Sequence, residues 1–331
     1  MGGAGCDGGG SGVESGFVVG AKSRAAILTE LSLVLAAILW GANYAATKYA
    51  AEFIPPLLIV AFRFTVGGIL MLCLLRILEP GERPTPRDLL PVAGLGCLGV
   101  GIGQTCFTFG VSITSAANTG LIFATAPIWG LLLGLALGLE RPTRRGIVGV
   151  GLSILGIGIV FYEGLGSEGA SVVGDLLVLL AAVGFGTYTV LSMPLLERHS
   201  PLAVATYSLL FGGLILLLLS VPYLTGLDWG GVGAGAWSAV GFSAVFATAF
   251  AFSAWQMGIS RIGANRVLVY QYLITITGVA SGIVFFAEVL GPEKVIGGAV
   301  VLLGVSRQEK WLGRYLGPGS SQGLATRCAL L

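Results

Sequence analysis

From Leu89 to Leu139 the chain carries no charged residue, and this run is too long for a single element. As one helix its 51 residues would extend about 76 Å, against a hydrocarbon core of about 30 Å, so the run must fold back on itself. The segment SITSAAN, 112 to 118, is the polar stretch able to turn it. The same pattern, read at about 20 apolar residues per crossing, predicts ten spans. They lie near 31–51, 54–75, 89–110, 116–139, 146–162, 172–196, 201–224, 236–258, 266–287 and 294–305. Helices are expected, because backbone groups in lipid must be satisfied within the segment and the strict alternation of a barrel strand is missing. The predicted fold class is therefore an all-α polytopic membrane protein. The short gaps leave no room for a soluble catalytic or nucleotide-binding domain, and no cofactor or nucleic-acid partner is expected.

Composition agrees: 55% of the 331 residues are hydrophobic and 10% charged, against about 25% charged in a soluble domain. Residues 1–29 open with a Gly-rich stretch that predicts a disordered tail, and 306–331 a second tail. Lys22 and Arg24 resemble the basic start of a signal peptide, but nine further spans make an uncleaved first helix the expectation. The five cysteines show no metal or redox spacing. With the amino terminus in the cytoplasm, 15 of the 18 Lys and Arg residues fall on the cytoplasmic side. Reversal would break this positive-inside bias in nearly every loop, so both termini are predicted to be cytoplasmic and the plasma membrane is the expected location.

The chain also resembles itself. Residues 30–68 align without gaps on 175–213 at an offset of 145, placing Gly41 on Gly186, Glu52 on Glu197, Pro56 on Pro201 and the Gly67–Gly68 pair on Gly212–Gly213. Farther on the offset is 148, with Gly110 on Gly258, Gly130 on Gly278, Glu140 on Glu288, Gly149 on Gly297 and Gly156 on Gly304. The predicted domains are a first five-helix repeat at 30–162, an outer linker at 163–174 and a second repeat at 175–305. Five is odd, so the second repeat enters the membrane from the opposite side. Inverted repeats let a midplane site open alternately to either face, which points to transport.

Several segments resemble the EamA-type proteins of the drug/metabolite transporter superfamily. They are LWGANYAATK in the first span, IPPLLIVAFRF in the second, and SAANTGLIFATAPIWGLLLGLALGLERPTRRGIVGVGLSILGIGIVF in the fourth and fifth. GANRVLVYQYLITITGVASGIVFFAEVLGPEKVIGGAVVLLGV repeats the last pattern in the second half. The resemblance implies a ten-helix exporter of small metabolites, often driven by a proton gradient. Thr275 stands where family members usually match Pro127 with a second proline, which removes the basis for a symmetric kink.

Arg63 lies seven residues past Pro56, about 10 Å along its span, where an arginine costs on the order of 3 kcal/mol. Two uses compete: gripping a substrate carboxylate or phosphate, or pairing with an outer glutamate, with Glu288 favoured. Lys48, near the outer end of the first span, can snorkel or touch substrate. Their repeat counterparts are Ser208 and Met193, so any cationic site belongs to the first half. Glu140 and Glu288 are candidates for gates or proton coupling, or they merely stabilise the next helix start. Trp40, Asn43 and Thr47 share a face of the first span, and Gln104, Asn118, Trp255, Gln256, Tyr270 and Gln271 add stacking or hydrogen-bonding groups suited to a partly polar metabolite. His199 is expected to be solvated. No span shows an acid at its centre and none contains a histidine, which argues against an intramembrane enzyme. A passive channel and an uptake carrier stay open beside the exporter, as does the choice between monomer and homodimer. The lipid bilayer, a small-molecule substrate and protons are the expected partners.

Overall fold

The computed structural model describes residues 11–137, 144–164 and 172–312. Among these residues every regular element is a helix. They are α1 (Ser11–Ala51), α2 (Pro56–Leu78), α3 (Leu89–Ile113), α4 (Ala116–Ala136), α5 (Arg144–Gly164), α6 (Val172–Leu196), α7 (Pro201–Leu224), α8 (Ala234–Ile262), α9 (Ala264–Phe286) and α10 (Pro292–Leu312). Eight of them, all but α5 and α10, contain a stretch long and apolar enough to cross a membrane. In α5 the apolar stretch is Ile147–Val160, and α10 runs on into the charged sequence SRQEKWL.

The boundaries follow local chemistry. Pro56 and Pro201 sit at the first helical positions of α2 and α7, where the missing N–H costs nothing. Ser200 caps α7 by accepting from the Ala203 N–H at 3.1 Å, and Ser115 caps α4 by accepting from the Asn118 N–H at 2.9 Å. The expected turn within SITSAAN thus falls between Ile113 and Ala116. α4 is interrupted after Phe123 and resumes at Ala126 beside Pro127, whereas α9 runs unbroken through Thr275. Two π-helical turns interrupt the α-helices, at Gly96–Ile102 in α3 and Val245–Phe250 in α8. Such insertions often mark functional positions.

Glycines set the closest crossings, as expected where lipid removes the hydrophobic drive between helices. A Cβ on Gly156 of α5 would lie 2.7 Å from the Gly297 carbonyl oxygen of α10, and one on Gly304 of α10 would lie 2.6 Å from the Gly149 carbonyl oxygen of α5. Gly212 of α7 approaches the Gly96 carbonyl of α3 in the same sense, at 2.6 Å, and Gly67 of α2 approaches the Ala244 carbonyl of α8 at 3.0 Å. α1 packs on α8 and α9, while α6 packs on α3 and α4. Leu74, Leu218, Leu219 and Val284 are among many large apolar side chains left exposed on the outside, a surface that fits hydrocarbon rather than water.

Several boundaries differ from expectation by two to four residues, and three extensions stand out. α1 begins at Ser11, inside the stretch expected to be disordered, because residues 11–25 contain no proline to stop the helix. α5 reaches Gly164 and α10 reaches Leu312, each past its predicted end. Residues 1–10, 138–143, 165–171 and 313–331, with Glu140 among them, lie outside the described residues.

Candidate functional site

A narrow central cleft, with a cavity volume of about 30 Å³, lies between α1, α2, α3, α4, α6, α8 and α9. Its polar lining comes from Asn43, Arg63 and Gln104, and its walls from Trp40, Tyr44, Phe107, Phe123, Phe185, Phe252 and Ile274. Trp40 is central to the packing. Its ring meets Phe185 and Phe252 edge-on at 5.6 and 5.4 Å and Trp255 at 5.1 Å, and its Nε1 donates to the Ala247 carbonyl at 2.7 Å.

Arg63 is 2% exposed. Its Nε donates to Thr248 Oγ1 at 2.7 Å and its Nη2 reaches the Ala247 carbonyl at 3.4 Å, both acceptors in the π turn of α8, while the guanidinium carbon stands 4.9 Å from the Phe64 ring centre. Nη1 has no hydrogen-bond partner among the described residues. The protein therefore fixes the fork but leaves one edge of it free. Asn43 Oδ1 accepts from Ser243 Oγ, tying α1 to α8 beside the cleft.

A charged cluster stands at one end of the bundle. Lys48 Nζ lies 2.9 Å from Glu288 Oε1 and donates to the Thr114 carbonyl at 3.0 Å. Glu288 also accepts the Ala116 and Ala117 N–H groups at 2.8 and 2.9 Å, so its carboxylate caps α4 where the helix dipole favours an anion. Ala287, in the left-handed region at φ 51°, turns the chain at the end of α9 so that Glu288 can reach back. Thr114 Oγ1 in turn donates to Asp175 Oδ1 at 2.6 Å, and Asn118 Nδ2 donates to Asp175 Oδ2 at 3.2 Å. The ends of α1, α3 and α9 and the starts of α4 and α6 are thus joined in one polar chain.

A second cluster stands at the opposite end, since α3 starts beside one and ends beside the other. His199 contacts Glu82 at 3.2 Å and Asp88 at 2.9 Å, and Arg198 pairs with Asp88 at 2.7 Å. These contacts join the α2–α3 and α6–α7 connections. Burial alone would raise the Asp88 carboxyl, but hydrogen bonds from Thr85 and His199 and the charges of Arg198 and His199 outweigh it and hold it below the usual carboxylate range.

The structure brings Trp40, Asn43, Arg63 and Gln104 together at the cleft and places the other sequence candidates elsewhere. Glu288 pairs with Lys48, not with Arg63, because Arg63 lies about two turns inside the bundle and already donates to α8. Lys48 is held by that pair rather than snorkelling, with its side chain 21% exposed. Trp255 stands behind Trp40, with Nε1 3.4 Å from Thr189 Oγ1. Gln256 donates to Tyr188 Oη at 2.7 Å, Asn118 serves Asp175, and Gln271 is buried with neither amide atom bonded. Tyr270 donates to Glu30 away from the cleft. His199, expected to be solvated, has a side chain only 5% exposed because two carboxylates enclose it. Asp175, which sequence reasoning did not single out, lies buried in the first turn of α6.

A sequence profile of the EamA-like transporter family matches residues 27–162 and again 172–306. The chain belongs to this family. An uncharacterized transporter of Archaeoglobus fulgidus is 26% identical over 276 residues, spanning 82% of this chain and 95% of its own length. The uncharacterized inner membrane transporter YedA of Escherichia coli is 26% identical over 291 residues, 85% of this chain and 90% of its own. A probable terminal-alkyne amino-acid exporter of Streptantibioticus cattleyicolor is 27% identical over 274 residues, 83% and 91% of the two chains. One crystal structure superposes with a TM-score of 0.60 at 19% identity, over 86% of this chain and 98% of the other, a likeness of fold. Family and relatives make the protein an integral membrane transporter and indicate transport rather than catalysis.

Proposed function

We propose that the protein is a secondary transporter that exports a small, partly polar metabolite, amino-acid-like or anionic, from the cytoplasm across the plasma membrane by alternating access. Both termini face the cytoplasm, and the two halves are inverted five-helix repeats. The exporter named among the relatives supports the direction.

One observation carries the repeat: the close contacts come in pairs that exchange under the sequence offsets. Gly156 against Gly297 becomes Gly304 against Gly149, and Gly212 against Gly96 and Val100 becomes Gly67 against Ala244 and Thr248. The two π turns, Gly96–Ile102 and Val245–Phe250, fall at nearly equivalent places. Two similar halves related in this way can exchange conformations and so expose a shared cleft to either side.

Within that frame the Lys48–Glu288 cluster is the outer gate, and the Glu82–Asp88–Arg198–His199 cluster holds the cytoplasmic end. Glu140, the counterpart of Glu288, is the matching inner gate candidate. A proton gradient is the proposed driving force. Arg63 breaks the symmetry, since Ser208 and Val100 stand where the other half has Arg63 and Thr248. It is the substrate-holding residue.

Purified protein in liposomes under an imposed pH gradient tests this, with amino acids, carboxylates and drug-like cations as candidates. Saturable, gradient-dependent uptake of a carboxylated compound is expected, falling at least tenfold in Arg63→Gln while insertion and thermal stability are retained. Unsaturable flux that ignores the pH gradient, or transport unchanged in Arg63→Gln, would overturn it.

A further inference from the structure

Among the described residues the central cleft holds a cation and no counter-charge. Arg63 is 2% exposed, Nη1 lacks a partner, and none of the residues lining the cleft is acidic. Glu288 is occupied by Lys48 and the α4 amides, and Asp175 by Thr114 and Asn118. A buried guanidinium without a carboxylate gains most from an anion that enters with the substrate, above all one that accepts at its free edge.

The rest of the cleft is aromatic. Trp40 meets Phe185 and Phe252 edge to face, and Phe107 meets Tyr44 tilted at 5.2 Å and Phe123 edge-on at 5.7 Å. A planar ring entering as the cleft opens can meet such walls in the same offset or edge-on geometries. Aliphatic side chains could have filled this volume equally well, but only Ile274 among the lining residues is aliphatic.

We propose that the substrate is an aromatic monoanion: a planar ring bearing one carboxylate and no ammonium group, its carboxylate on Arg63 and its ring against the aromatic wall that includes Trp40, Phe185 and Phe252 once the cleft opens. The proposal rests on the cleft being the transport site. A zwitterionic amino acid brings its own cation and leaves the arginine uncompensated. Its ammonium could rest on an aromatic face, yet it would do so beside a fixed like charge with no acid to offset either. An aromatic amine meets only repulsion. The order of binding is therefore acid, then zwitterion, then amine.

A matched set of ligands separates these terms, measured by calorimetric titration of the purified full-length protein in detergent. The probes are 3-phenylpropanoate, phenylalanine, 2-phenylethylamine, 3-cyclohexylpropanoate and the neutral 3-phenylpropanamide. The expected result is that 3-phenylpropanoate binds at least tenfold more tightly than phenylalanine and 3-cyclohexylpropanoate, and that 2-phenylethylamine does not bind. Arg63→Gln should bring the acid down to the affinity of the amide and leave the amide within twofold. Arg63→Lys, which keeps the charge, should retain a weakened preference for the acid and covers the case in which the glutamine variant fails to fold. The proposal is overturned if phenylalanine or the saturated acid binds as well as 3-phenylpropanoate, if no probe binds, or if the preference survives in Arg63→Gln. Saturable, Arg63-dependent liposome transport of some other compound would in that case leave the transporter standing and remove only the substrate class.

Discussion

Replacing Glu288 with glutamine is expected to destabilise the protein by about 2 to 3 kcal/mol, somewhat less than the roughly 3–5 kcal/mol for breaking a fully buried pair. The discount reflects exposure, since the Lys48 and Glu288 side chains are 21% and 11% exposed. The variant keeps a carbonyl oxygen for one α4 amide but loses the second acceptor and leaves the Lys48 ammonium facing Phe286 and the Thr114 carbonyl alone. Lys48→Met should cost a similar amount. The double variant should cost about 1 kcal/mol or more below the sum, because once one partner has gone the other has little left to lose. Thermal unfolding in detergent reads all three, and strict additivity would remove the pair as a structural link.

The same residue sets the acid limb. Burial alone would raise the Glu288 carboxyl, but its bonds from Lys48, Ala117 and Ala116 and the Lys48 charge outweigh it and hold it below the usual range. A carboxyl lowered on folding contributes its stability above the ordinary value of about 4, and that contribution drains away as pH falls through the lowered folded value. Wild type should therefore be the more stable of the two near neutral pH and converge on Glu288→Gln in acid. A gap that widens in acid would reverse the sign and refute the assignment.

The second large effect concerns helix contact. A Cβ on Gly41 of α1 would lie 2.7 Å from the Gly278 amide nitrogen of α9 and against the Thr277 side chain. On Gly186 of α6 it would lie 2.8 Å from the Gly130 amide nitrogen of α4 and against the Ala126 carbonyl. Backbone cannot yield as a flexible side chain does, so Gly41→Ala and Gly186→Ala should each cost about 1–3 kcal/mol. Gly94→Ala and Gly241→Ala have nothing within 4 Å of the new carbon, and helical alanine is the better residue, so they should be neutral or stabilising by up to about 1 kcal/mol. Equal cost at Gly41 and Gly186 is expected because they are counterparts. Tolerance at both would contradict the tight α1–α9 and α6–α4 crossings.

Much of this was legible in the sequence for a physical reason: a chain in lipid must close its backbone bonds within each segment, so apolar length alone reveals most helices. Paired Gly67–Gly68 and Gly212–Gly213, and Pro56 with Pro201, carried the duplication because such residues are rarely interchangeable at a close crossing or a helix start. The cleft was only half legible. Arg63 stood out through the cost of its charge, and Trp40, Asn43 and Gln104 through polarity or size, but Phe107, Phe123, Phe185 and Phe252 look like any lipid-facing aromatic until the helices are rotated into place. Thr248 was invisible because a threonine among apolar residues signals nothing until a π turn aims it at Arg63. Asp175 could have been found as the counterpart of Glu30, one turn inside its span. The pairing of Lys48 with Glu288 joins residues 240 positions apart and depends on the turn at Ala287, which no local pattern announces.

The central claim is that a single cleft opens to each side in turn, and thiol labelling from both sides tests it most directly. A cysteine is placed at Gln104 in a protein freed of its native cysteines and offered a membrane-impermeant thiol reagent in right-side-out and in inverted vesicles. Labelling is expected in both preparations. Joining cysteines at 48 and 288 with a bifunctional reagent should then abolish labelling from outside and spare labelling from inside. Labelling from one side only in the unlinked protein, or loss from both sides after the link, would contradict alternating access.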